Sequence, residues 1–283
     1  MVKRPATWPV PTSLVRTDHA EQSVFQPESL LRVARRQRGL DVGSVPTVCL
    51  LDPDGDVVRS LQQTGRDRRS ETWACYHTDL WTTEVEGALV GVIGNAVGAS
   101  FAVLVAEELF ASSCRLLVSV TSAGQLDPDL SLPCTILVDR ALRGEGTSYA
   151  YLPPDRFVEG YHRLVAAVAT ELQRSRIAAI RGGTWTTDAP FRETRSAIAA
   201  ATAAGLQAVE MEVAGLYAFA QARGTPVVCF ALVTNQMAQA GDDFEKGADN
   251  GAGHALALVV AATRGWRALR AEPGIRIADG ETP

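Results

Sequence analysis

The sequence predicts a single α/β domain in three layers: a central mixed, twisted sheet with helices on both faces and the site at the strand exits. Three observations carry that reading. Apolar runs of strand length recur at 45–51, 88–93, 115–121 and 226–233. Between them lie segments with apolar residues at helical spacing, as in 99–111, where Phe101, Leu104, Val105 and Leu109 share one face. The 283 residues are 46% hydrophobic, with no linker-like stretch between Val45 and the last helix, which suits one large core.

In order, residues 1–44 form an arm: a proline-rich lead, then a helix opened by Pro27-Glu28-Ser29, running 30–37 and stopped by Gly39 and Gly43. The arm covers the domain or reaches a neighbouring subunit. The domain spans 45–272. Its first strand, 45–51, ends in Asp52-Pro53-Asp54-Gly55-Asp56, a turn by its Pro, Asp and Gly content. Strands are expected at 72–78, 81–86 and 88–93, then the loop Gly94-Asn95-Ala96-Val97-Gly98 and the helix 99–111. The strand 115–121 exits through Ser122-Ala123-Gly124-Gln125. A strand at 135–138 and an amphipathic helix at 160–174 follow, then a strand at 177–180 whose exit loop runs to Phe191, and a helix to Ala204.

A short apolar stretch, 206–209, leads into Glu210-Met211-Glu212. After it Val213, Leu216, Tyr217 and Ala220 recur at helical spacing as far as Arg223, and Gly224 closes the helix. Glu212 is thereby expected in the first turn, where the macrodipole favours an ionised carboxylate. The strand 226–233 exits through Thr234-Asn235-Gln236, a last helix covers 251–271, and 273–283 form a loose tail.

A formal net charge of -5 argues against a nucleic-acid surface, and Arg32, Arg35, Arg36 and Arg38 read as a solvated helix face. No apolar run is long enough to span a membrane, and prolines break the N-terminal lead, so a soluble, cytoplasmic protein is expected. The five cysteines, odd in number and without C-x-x-C, read as reduced core residues. The four histidines lack ligand spacing. Neither a metal nor a cofactor is implied.

Val209-Glu210-Met211-Glu212-Val213-Ala214-Gly215 resembles the V-E-M-E-x-A-G/A signature of the nucleoside phosphorylase superfamily, which holds purine nucleoside and uridine phosphorylases and related nucleosidases. The likeness runs from Val45 to Ala262. It implies a homo-oligomer acting on a small nucleoside, with Glu212 taking the ribose hydroxyls, Met211 under the sugar and Glu210 as a second sugar contact. A carboxylate suits this because it accepts two hydrogen bonds from neighbouring hydroxyls. The stretch 141–149 is similar to the R-x-E-G-T-S-x-x-Y of uridine phosphorylase-like members. Thr184 to Phe191 is similar to the loop that closes over the base. Phe191 or Trp185 is the candidate to stack on a heterocycle, with core packing equally open for Trp185.

The departures from the family pattern are as informative. Phosphorylases carry G-D-P-x-R at the first turn, where its glycine and arginine cradle phosphate; here Leu51 and Gly55 stand for those two, and three aspartates crowd the turn. At the R-x-G-S/T-x-G motif, Ser119 falls at the arginine, while Ser122-Ala123-Gly124 matches the S-A-G of nucleosidases. The third family arginine falls near Tyr76 or His77. Asn235 replaces the aspartate that protonates the purine, so it donates a hydrogen bond but no proton. Lys246 is a candidate to stabilise charge, or a solvated lysine.

The expected reaction is cleavage of the N-glycosidic bond of a purine nucleoside, by water rather than phosphate. Glu212 and Asn235 are its catalytic residues, and Asp54 or Asp56 the base. Ser122, Ala123, Gly124, Glu210, Met211, Trp185 and Phe191 line the site. Two alternatives stay open: phosphorolysis with a phosphate site rebuilt from Arg59 and a partner's Arg66, Arg68 and Arg69, and a nucleoside-binding protein without turnover.

Overall fold

The computed structural model describes residues 18–235 and 248–272. In chain order, α1 (Pro27–Arg38) leads to β1 (Val48–Asp52), α2 (Asp56–Gln63), β2 (Arg68–Arg69), β3 (Trp81–Val85), β4 (Ala88–Gly94) and α3 (Ala99–Ala111). Next come β5 (Leu116–Gln125), β6 (Cys134–Gly144), the single-turn α4 (Ser148–Tyr151), β7 (Phe157–Glu159), α5 (His162–Arg174), β8 (Ile180–Thr187) and α6 (Arg195–Ala203). The described chain ends with β9 (Ala208–Glu210), α7 (Val213–Arg223), β10 (Val227–Asn235) and α8 (Ala252–Arg270).

The apolar runs become parallel strands buried on both faces, as an unalternating pattern requires. β1 pairs in parallel with β4 and β5, and β5 in parallel with β10. β3 and β2 extend the β4 edge antiparallel. At the other end β10 pairs with β6, β6 with β8, β8 with β9, and β9 back with β5. Those five strands therefore close on themselves, which removes two sheet edges. Register slips between Val138 and Arg140 and between Val233 and Asn235 lie within the closing strands, where an extra residue sharpens the local bend.

The α/β layering matches the expectation. α3 and α7 pack on one face around Leu109, Leu117, Val213, Leu216 and Phe219, while α2, α5 and α8 cover the other around Leu50, Val118, Leu164, Val259 and Phe230. A Cβ on Gly265 of α8 would lie 2.8 Å from the backbone nitrogen of Val168, so α5 and α8 cross at a distance only glycine permits. α1 rests on α3 through Leu31 and Ala34, and Arg38 of its basic cluster donates to the Cys75 carbonyl at 2.6 Å. All five cysteines are free, and among the described residues no helix is long and apolar enough to cross a membrane.

Four expected boundaries are corrected. No strand forms at 72–78: Trp73, Ala74 and Cys75 are buried without a ladder, pinned by Trp73 Nε1 on Thr78 Oγ1 at 3.0 Å. Residues 122–125 continue β5 rather than leaving it, because Gly124 and Gln125 pair with Val209 and Ala208. β8 starts at Ile180 and takes up most of the expected loop, since β6 and β9 flank it as far as Thr187. α7 begins at Val213, which puts Glu212 at its N-cap. The lead 1–17, the segment 236–247 holding Gln236 and Lys246, and the tail 273–283 lie outside the described residues.

Candidate functional site

Parallel strands deliver their last residues to one edge, and the site residues gather there. β5 ends beside Asn235 of β10 on one side and Val209 of β9 on the other, both in register with Gly124. β1 and β4 end at the same edge in Asp52 and Gly94. Ser122, Ala123, Gly124, Asn235, Glu210, Met211, Glu212 and Asp54 all lie on strand ends or turns of this edge.

Glu212 is 1% exposed. Its Oε1 accepts the Gly98 N–H at 2.7 Å and its Oε2 the Thr121 hydroxyl at 2.9 Å. Gly98 reaches this position with φ of +90°, a conformation that glycine adopts without strain. Burial raises the Glu212 carboxyl to about 8, the neighbouring Glu210 charge adds to the rise, and Asp54 contributes less. The expectation of an anion held ionised by the helix dipole is therefore corrected. Desolvation of a carboxylate in a dry interior costs several kcal/mol, against about 0.3–1 kcal/mol from the macrodipole.

Glu210 is turned inward. Oε1 accepts from Thr184 and Thr186 at 3.0 and 2.5 Å, and Oε2 from the Glu212 and Val213 N–H groups, both at 2.7 Å. All four acceptor positions of the carboxylate are thus filled by protein donors. The expected second sugar contact is replaced by a structural one: Glu210 caps α7 and ties it to β8. Thr186 also accepts the Ala214 N–H at 2.9 Å. Burial raises the Glu210 pKa, and these donors oppose the rise.

The acidic turn splits into three roles. Asp52 accepts the Val57 and Val58 N–H groups at 2.9 and 3.2 Å, capping α2, and burial pushes it up to about 6. Asp56 is paired with Arg59 at 2.5 Å and accepts from Asn250 at 3.3 Å, both on Oδ1. Asp54 crosses the site to Ser122, receiving the backbone N–H at 2.9 Å and the hydroxyl at 3.0 Å. Arg59 also donates to the Asp54 carbonyl at 2.8 Å.

The two aromatic candidates part. Trp185 packs with Leu126, Leu142, Val209 and Ile198 beneath α6, on the face of β8 opposite Thr184 and Thr186. Phe191, in a 3-10 turn at Pro190–Arg192, is 100% exposed in the single chain. Ser119, at the position of the family arginine, is buried in the core with 0% exposure. Arg69 is paired with Asp79 at 2.6 Å.

Gly98, Thr121, Thr184 and Thr186 were not identifiable as polar partners of the glutamates. Thr184 and Thr186 carried a signal, two hydroxyls on one face of a strand. The stretch 141–149 is a scaffold: Arg143 stacks 4.1 Å from the Tyr149 ring centroid, and donates to Ser148 Oγ, the Pro153 carbonyl and the Leu152 carbonyl at 2.7–3.2 Å. Among the described residues, no cluster of three His, Cys, Asp or Glu side chains is placed to hold a metal ion.

Solved structures share this architecture. AMP nucleosidase from Bacteroides thetaiotaomicron VPI-5482 is similar with a TM-score of 0.67 at 20% identity, over 88% of this chain and 100% of that one. Uridine phosphorylase from Vibrio fischeri ES114 is similar with a TM-score of 0.63 at 18% identity, over 79% of this chain and 94% of that one. No curated protein matches the sequence. A sequence model of the phosphorylase superfamily matches residues 47–264, which include β1, the glycine loop, Ser122, both glutamates and Asn235. The chain belongs to the phosphorylase superfamily.

Proposed function

We propose that the protein hydrolyses the N-glycosidic bond of a purine nucleoside. The observation that carries this reading is the Asp54 carboxylate seated on the Ser122 N–H and hydroxyl. The first turn and the R-x-G-S/T-x-G loop are the two places where the resemblance puts phosphate. Here an internal anion occupies the donors of the second, supplied by the first. A phosphate dianion brought there would meet a carboxylate rather than guanidinium groups, which disfavours its binding.

In this reading Asp54 accepts the proton of an attacking water as the water oxygen bonds to C1′ and the C1′–N bond breaks. The bonding electron pair leaves with the purine. Asn235 donates a hydrogen bond to the base as charge develops on it, and the base takes its proton from solvent. Glu212 takes a sugar hydroxyl, Met211 lies against the pentose, and Phe191 covers the base. A purine is preferred because Phe191 runs straight into Arg192-Glu193-Thr194, without the inserted Q-x-R of uridine phosphorylases. One structural neighbour is named a nucleosidase and the other a phosphorylase, so the fold serves both names. The pairing of Arg59 with Asp56 weakens the phosphorolytic alternative.

The test is release of free base from inosine, guanosine and adenosine in phosphate-free buffer. Release supports the reading. Release only after phosphate is added contradicts it, and thermal stabilisation by nucleoside without any release supports a binding protein instead.

A further inference from the structure

Thr121 bears on which sugar the site takes. A carboxylate grips a vicinal diol by receiving one O–H on each oxygen. On Glu212 that pattern is already filled from within the chain, by the Gly98 N–H on Oε1 and the Thr121 hydroxyl on Oε2. The side chain is 1% exposed, so a second pair of donors has no open approach unless one of the first pair gives way. The Gly98 N–H is fixed by the backbone. The Thr121 hydroxyl is a rotor with another acceptor, the Ser122 carbonyl at 3.3 Å. It stands on the carboxylate where one of two sugar hydroxyls would otherwise stand.

Resting on the hydrolytic reading above, we infer that Thr121 substitutes for a sugar hydroxyl on Glu212 and makes the site selective for 2′-deoxyribonucleosides. On the leaving-group side, Asn235 donates a hydrogen bond but no proton. A 2-deoxy pentose ionises more readily because it lacks the electron-withdrawing oxygen next to the carbon that becomes positive. The same bonds form and break as in the hydrolysis above; only the sugar is specified.

The test compares kcat/KM for 2′-deoxyinosine and inosine, without phosphate, in the wild type, Thr121→Ala and Thr121→Ser, each checked for native melting. The wild type is expected to favour the deoxynucleoside by roughly tenfold, the ratio one hydrogen bond supports. Thr121→Ala should reduce that ratio toward unity, and Thr121→Ser, which keeps the hydroxyl, should retain it. Equal or faster cleavage of inosine by the wild type, or an unchanged ratio in Thr121→Ala, overturns the inference while leaving hydrolysis intact. If neither nucleoside is cleaved, nor guanosine nor adenosine, hydrolysis itself is refuted, and the melting-temperature shifts with 2′-deoxyinosine and inosine read the sugar preference directly. A larger shift with 2′-deoxyinosine upholds the role of Thr121, and an equal or smaller one, or none, refutes it.

Discussion

Asp54 and Ser122, 68 positions apart, are joined by two hydrogen bonds of 2.9 and 3.0 Å that link the turn after β1 to the end of β5. β1 and β5 run parallel and adjacent, with Leu51 beside Ser119, so residues just beyond those partners face each other at one edge. An aspartate in this turn thereby occupies the N–H and hydroxyl donors of Ser122.

Replacing Asp54 by Asn keeps an acceptor for the Ser122 N–H but removes the base. The hydrolytic kcat is expected to fall by about 10²–10⁴, the range general-base catalysis contributes. Steady-state kinetics on inosine check this. A fall of less than about threefold would move the base elsewhere.

Glu212→Gln keeps the volume of the side chain and replaces its carboxyl group by an amide, which has one acceptor oxygen instead of two. Loss of one hydrogen bond to the sugar should lower kcat/KM by about tenfold, from roughly 1.4 kcal/mol. An unchanged rate would mean that Glu212 does not hold the sugar.

The same residue sets a pH dependence of stability. The folded chain keeps a proton on Glu212 up to about pH 8, whereas an unfolded glutamate loses it near 4.5. Stability contributed by this group is complete below the unfolded value and is lost as pH rises toward 8. His254, which burial holds neutral beside Thr135, acts in the opposite direction below its ordinary 6.5. The melting temperature should therefore fall between pH 6.5 and 8, and Glu212→Gln should flatten that slope. A wild-type melting temperature that rises across this window would contradict the assignment.

Much of this was legible in the sequence where the responsible residues are contiguous. The apolar runs fixed the parallel strands because burial on both faces leaves no polar alternation, and Glu210-Met211-Glu212 marked the candidate site in three adjacent letters. What stayed hidden depends on contacts distant in sequence. Gly98 meets Glu212 across 114 positions, and Thr186 meets Glu210 across 24. Periodicity put Glu212 in the first turn of its helix, one residue inside its place at the N-cap, and carried no measure of its depth, which decides its charge. Asp54 and Asp56 were not separable from the turn alone. The spacing of Asp56 and Arg59, three apart on a helix, carries the ion pair that separates them.

Arg143 illustrates a motif whose role is structural. It is 4% exposed and donates to two carbonyls and a hydroxyl. Arg143→Ala leaves those acceptors unpaired and should cost about 3 kcal/mol of stability. Denaturant melts check this, and a loss under about 0.5 kcal/mol, the range of ordinary surface substitutions, would contradict it.

Phe191 makes the complementary case. Phe191→Ala should leave melting unchanged, because the ring is fully exposed, and should raise KM for a purine nucleoside about tenfold if stacking on the base is its task. A drop in melting temperature with KM unchanged would assign the ring to packing instead.

The most direct measurement is the identity of the sugar product when a purine nucleoside is cleaved in saturating inorganic phosphate. Free pentose, with no phosphorus resonance for a sugar 1-phosphate, is the result expected of a site whose Ser122 donors are held by Asp54. Stoichiometric pentose 1-phosphate would contradict it.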